Sequence, residues 1–153
     1  MTRPISRAAR LSCTFALAAL AAAPLAAQGV GTPEQADAEF TEAMNSGIRA
    51  STRGEAKKCA GYWWALQMIH ENSEGVAFWA NMPGRLSLET AKLGRGYWNQ
   101  WLIESYGQDS PELEQVGNEV FEYRQEAIKR IVDAEQTGGI DGFFSMLGYC
   151  VPQ

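Results

Sequence analysis

The sequence predicts an all-α fold, an antiparallel four-helix bundle with a short C-terminal helix, pinned by one disulfide. Three observations carry this. Apolar residues recur three and four apart in separate segments that open on helix-start signals. No stretch alternates apolar and polar residues as a half-buried strand does. An export segment accounts for one of the three cysteines and leaves a pair, Cys59 and Cys150.

The export segment is residues 1–27. Arg3, Arg7 and Arg10 precede an alanine-rich apolar run that exits through Ala26 and Ala27. A basic start, a short apolar middle and a small-residue exit are the pattern of a cleaved secretory signal. Cleavage after Ala27 removes Cys13 and leaves residues 28–153 as one helical domain. The expected location is periplasmic or secreted, where a cysteine pair forms a disulfide. The segment holds three of the thirteen basic residues and none of the eighteen acids, so the remainder carries a net charge of −8 against −5 for the whole chain. Such an acidic domain repels nucleic-acid phosphates and anionic lipid, so neither nucleic acid nor, after cleavage, membrane is expected as a partner.

The first helix opens at Thr32, with Pro33 at the first helical position and Gln35 placed to close a capping box. Its stripe is Ala36, Phe40, Met44 and Ile48. The second restarts at Thr52, with Glu55 three residues on. At about 100° per residue its Ala56, Cys59, Tyr62, Trp63, Leu66 and His70 share one broad face, while Trp64 and Met68 fall nearly opposite Cys59. A helix apolar on two sides is either central in a bundle or meets a partner. Residues 75–84 read as a loop with room for one helical turn. The third helix begins near Ser87 and aligns Leu88, Ala91, Trp98, Trp101, Leu102 and Tyr106, with Gly94 and Gly96 as a possible kink. The fourth starts at Ser110-Pro111 and runs to about Gln136 through Leu113, Val116, Val120, Tyr123, Ala127, Ile131 and Ala134, ending at Gly138-Gly139. A short helix, Asp141 to Leu147, delivers Phe143, Phe144 and Cys150 to the core.

Candidate chemistry is sparse. Cys59 and Cys150 lie far apart in sequence, unlike the close pairs of redox enzymes, and read as a structural disulfide. His70, the one histidine, heads the string His70-Glu71-Asn72-Ser73-Glu74, half of the zincin pattern H-E-x-x-H without its second ligand. It reads as a hydrogen-bonded residue in a helix's last turn. Haem attachment through C-x-x-C-H is absent, and Met68 and His70 are too close in sequence to take opposite faces of one iron. No catalytic residue, metal or cofactor is expected. Arg49, Arg53 and Lys57, with Lys58 beside them, read as a solvated face paired with nearby acids, with an anion or acidic-partner site as the alternative. Arg124 interrupts the fourth helix's stripe and is expected to snorkel or meet a carboxylate. Glu126 and Arg130 have the spacing of a surface ion pair.

What remains is an aromatic surplus. Tyr62, Trp63 and Trp64 sweep about 200° of helix, more than one core face accepts unless that helix is surrounded. Trp64 with Met68 is the candidate second contact surface. Trp98 and Trp101 are candidate walls of a Trp-rich pocket between the second and third helices. The leading expectation is a non-catalytic exported protein that binds another macromolecule or a second copy of itself, as an inhibitor, an immunity-type protein, an assembly factor or a chaperone. The alternative is a small-ligand bundle using the Trp-rich pocket. An enzyme using His70 with Glu71 or Glu74 is a third.

Overall fold

The computed structural model describes residues 31–137 and 142–152. Their helices are α1 (Pro33–Asn45), α2 (Arg53–Asn72), α3 (Ala77–Ala80), α4 (Leu88–Tyr106), α5 (Glu112–Thr137) and α6 (Phe143–Tyr149), with a 3-10 turn at Gly84–Leu86. No strand occurs among the described residues. The export segment, Gly138-Gly139 and Asp141 lie outside them.

Local chemistry sets the helix starts. Thr32 and Gln35 form a reciprocal capping box, with Gln35 N donating to Thr32 Oγ1 at 3.2 Å and Thr32 N to Gln35 Oε1 at 2.8 Å. Thr52 and Glu55 repeat it on α2 at 2.9 and 3.2 Å. Ser87 caps α4, and the Ser110 hydroxyl accepts from Glu112 N at 3.2 Å where α5 begins. The first stripe is shorter than its periodicity implies. α1 stops at Asn45, Gly47 turns the chain at φ +75°, and Ile48 is left 62% exposed. The backbone turn overrides the apolar spacing there. The segment at 75–84 does contain a single helical turn, α3.

Helix α2 is central. It packs against both α4 and α5, whereas α4 and α5 meet each other little, and α1 packs chiefly against α6. One glycine lies at each main interface. A Cβ on Gly61 of α2 would stand 2.6 Å from Tyr123 Cβ and 2.9 Å from the Val120 carbonyl of α5. On Gly94 of α4 it would stand 2.5 Å from the Trp63 ring, and on Gly148 of α6 it would stand 2.2 Å from the Phe40 carbonyl of α1. These are close approaches that no side chain permits. Gly94 is therefore a packing residue, and α4 runs unbroken through it.

The disulfide joins Cys59 and Cys150 with a Cα separation of 5.2 Å. Both sulfurs are buried with Trp63, Leu66, Phe143, Phe144 and Leu147. The Cys150 carbonyl accepts from two indoles, Trp63 Nε1 at 2.9 Å and Trp98 Nε1 at 2.8 Å. The C-terminal tail is thus held over the core by one covalent and two hydrogen bonds. A further tie reaches the start of α2, where the Tyr149 hydroxyl donates to Glu55. That bond, with the amides of Ser51 and Thr52, lowers the Glu55 carboxyl to about pKa 2, and burial together with the same carboxylate raises the Tyr149 phenol to about 12.

Candidate functional site

The three consecutive aromatics of α2 separate into three environments. Tyr62 is buried and stacks on Phe143 with centroids 5.6 Å apart. Burial raises its phenol to about pKa 12. Trp63 is buried against Gly94 and Phe40. Trp64 is half-buried and turns toward the diverging sides of α4 and α5. Helix α2 is surrounded, as the aromatic sweep required, and Trp64 is the member that reaches a surface.

It reaches it at the base of a groove of about 450 Å³. Arg95, Asn99, Leu102 and Ile103 of α4 form one wall, and Leu113, Val116, Gly117 and Val120 of α5 form the other. The groove exists because α4 and α5 both grip α2 and not each other. Its two ends differ. At the α2 end two guanidiniums lie over the Trp64 indole, Arg95 Cζ at 4.4 Å and Arg124 Cζ at 4.2 Å from the centroid. Arg124 also lies 4.1 Å from the Phe121 ring. Arg95 donates to Gln67 Oε1 at 3.2 Å, while the buried Nε of Arg124 has no hydrogen-bond partner. No ion pair among the described residues reaches either arginine. Burial, and then the charge of Arg95, lower the Arg124 pKa. The other end, around Leu113 and Ile103, is apolar.

Gly117 is unusual in this wall. It sits inside α5, is exposed, and a Cβ there would meet nothing within 4 Å. A glycine inside a helix costs about 0.5–1 kcal/mol relative to alanine. At Gly61, Gly94 and Gly148 the interior demands it; at Gly117, as at Gly96 of α4, nothing among the described residues does.

The other sequence-derived candidates distribute as follows. Met68 does not join Trp64. It lines a separate hollow of about 270 Å³ with Ile69, Trp79, Ile128 and Val132. The pitch of α2 carries residues four apart to successive levels, so Met68 meets Ile128 and Val132 of α5 while Trp64 lies by Val120. Trp98 is 3% exposed and committed to the Cys150 carbonyl, so it is a core residue, not a pocket wall. Trp101 leans on it at 6.1 Å. The Trp63 ring packs onto Gly94, and the hollow of about 190 Å³ that these two line opens toward Phe40, Met44, Val151 and Pro152 without Trp98 or Trp101.

The four cations do not form one continuous stripe, and one of them pairs with an acid as expected. Arg49 lies between helices and donates to the Met44 and Ile48 carbonyls. Arg53 stacks on Tyr106 at 4.3 Å, and Lys57 pairs with Glu119. Arg124 meets aromatic faces in place of the expected carboxylate or solvent. The Glu126–Arg130 pair forms at 3.2 Å. His70 Nε2 hydrogen-bonds the Leu86 carbonyl at 2.8 Å and its ring meets Trp79 edge-on at 5.6 Å. α2 ends at Asn72, so Glu74 is off the helix. Among the described residues no three His, Cys, Asp or Glu side chains group to hold a metal ion, and no helix is long and apolar enough to cross a membrane.

Sequence reasoning overlooked Arg95 and Gly117. Arg124 carried the one available signal, a cation inside an apolar stripe. No protein-family model matches the chain, and no curated protein or solved structure matches it either.

Proposed function

We propose that this chain is a non-catalytic, exported binding protein that captures a segment of a partner protein in the groove between α4 and α5. The observation that carries the reading is the open groove with Trp64 and Arg95 at one end and Gly117 in its α5 wall. A helix wall that gives up about 0.5–1 kcal/mol of its own stability for an open, side-chain-free patch leaves room for another backbone to come close. The half-buried Trp64 beneath it and the exposed edges of Ile103 and Phe121 beside it supply apolar contact. Trp and Arg at the centre of a cleft are the residue types that dominate binding energy at protein interfaces. The Cys59–Cys150 disulfide is compatible with an oxidising compartment.

The test is to fill the groove without disturbing the fold. Gly117→Trp projects a ring into open space. A displayed random dodecapeptide library is panned on the oxidised protein, and enriched peptides are measured against wild type and Gly117→Trp. Circular dichroism and melting confirm that the variant is folded. Binders that lose at least tenfold affinity for the variant support the reading. Peptides that bind both forms equally, or no enrichment at all, overturn it.

A small-ligand reading has one observation in its favour, since about 450 Å³ falls within the ordinary range of ligand sites. Native mass spectrometry of protein purified from its own host separates the two. A retained small molecule that Gly117→Trp displaces favours this second reading.

A further inference from the structure

The two ends of the groove specify more than a partner in general. Arg95 and Arg124 bring two positive charges to one indole, with no carboxylate among the described residues paired to either. The chain has more acids than bases, so leaving two arginines together without one is not a shortage of acids. The Nε of Arg124 is shut off from solvent with no acceptor. Its positive charge lies beside Trp64 uncompensated, and so adds to the field of Arg95 at that end of the groove. A guanidinium held over an aromatic ring still offers N–H donors to a carboxylate, and Arg95 commits only one of its nitrogens, Nη1, to Gln67.

From this cationic end the groove runs along α4 from Arg95 to Ile103, about 12 Å at 1.5 Å per residue. Resting on the groove reading above, we infer that the captured segment carries an aspartate or glutamate side chain that pairs with Arg95 at the Trp64 end of the groove, where Arg124 adds a second positive charge, with apolar side chains lying along Leu102, Val116 and Ile103. The chain's own first thirty residues are excluded as the occupant, because they contain Arg3, Arg7 and Arg10 and no acid. The charge complementarity points to an acidic, apolar segment of another protein.

The experiment uses two displayed dodecapeptide libraries, identical except that one central position is fixed as Glu in the first and Gln in the second. Display through the peptide's C-terminus leaves no free terminal carboxylate, so any acid is a side chain's. Binders from the Glu library are remade with Gln, and both forms are titrated against the full oxidised protein at low and high salt. The expected result is at least tenfold tighter binding by the Glu form. That ratio shrinks in Arg95→Gln and as salt rises. Arg124→Lys, which keeps charge but not the fork, retains part of it. If Glu and Gln forms bind equally, and both are lost in Gly117→Trp, the groove reading survives and the acid inference is overturned. If neither library gives a binder that Gly117→Trp blocks, both fall. Decanoate is titrated in parallel. Its capture in the groove without peptide capture overturns the peptide assignment.

Discussion

Two seams meet on α2, and they are built in opposite ways. On the side of Trp63, Gly94 of α4 lets an indole lie against backbone, and the Cys150 carbonyl takes hydrogen bonds from Trp63 and Trp98 beside the disulfide. Every polar group named there has a partner. On the side of Trp64, one residue further along, α4 and α5 diverge. An indole is half-covered, two arginines share it, and one guanidinium nitrogen has no acceptor. Adjacent tryptophans of one helix thus serve a finished interior and an unfinished surface. The difference teaches where to look for function: the cations beside Trp64 have no carboxylate partner among the described residues, and the groove they adjoin is open.

The comparison makes unequal demands on the two seams. Reduction of the disulfide, or Cys59→Ala with Cys150→Ala, is expected to cost the most. Its ends are 91 residues apart, and closing such a loop is worth up to about 4.7 kcal/mol in the chain-entropy model. A lowered melting temperature with most helicity retained is the expected result; unchanged melting would remove the closed seam's main staple from the argument. Gly148→Ala comes next, at about 3 kcal/mol, because its Cβ would meet the Phe40 carbonyl at 2.2 Å and backbone yields poorly. Denaturant titration measures it.

The same substitution on the two seams should then differ. Trp98→Phe opens a gap and removes a buried hydrogen bond, about 2 kcal/mol, whereas Trp64→Phe at the half-open groove costs under about 1 kcal/mol. Equal costs would erase the distinction between interior and groove. Gly117→Ala reverses the sign and stabilises by about 0.5–1 kcal/mol. A loss of stability there would mean that α5 itself needs the glycine.

The last effect concerns pH. The Glu55 carboxyl is lowered from the ordinary carboxylate value of 4.5 to about 2 in the fold, first by Tyr149 and then by the amides of Ser51 and Thr52. A depressed carboxyl contributes stability that is present above its unfolded value and is lost as pH falls toward the folded one. Melting should therefore decline between about pH 4.5 and pH 2, and Glu55→Gln should flatten that part of the profile. An unchanged acid limb in the variant would show that the Tyr149–Glu55 tie contributes nothing.

How much of this could be read in the sequence follows from range. The caps at Thr32–Gln35 and Thr52–Glu55 were legible because both partners lie three residues apart. The cysteine pair was legible by elimination once Cys13 was assigned to the export segment. The central place of α2 was legible from the angular sweep of Tyr62, Trp63 and Trp64. The candidate site was legible in one residue, Trp64. Met68 was grouped with it by the helical wheel, which ignores the rise of one turn that sets the two in separate hollows. Trp98 and Trp101 were read as walls because a wheel cannot tell an indole that finds a buried acceptor from one that faces a ligand.

The sequence by itself determined the helices, their starts, the cysteine pair and the need for one helix to be enclosed, since all of these rest on periodicity, local hydrogen bonding or composition. Only the tertiary structure decided which tryptophan is finished and which is open. Four glycines look alike as letters: Gly61, Gly94 and Gly148 are fixed by a neighbour less than 3 Å from where a Cβ would stand, and Gly117 faces empty space. That distinction depends on distances between helices far apart in the chain, which no local pattern encodes.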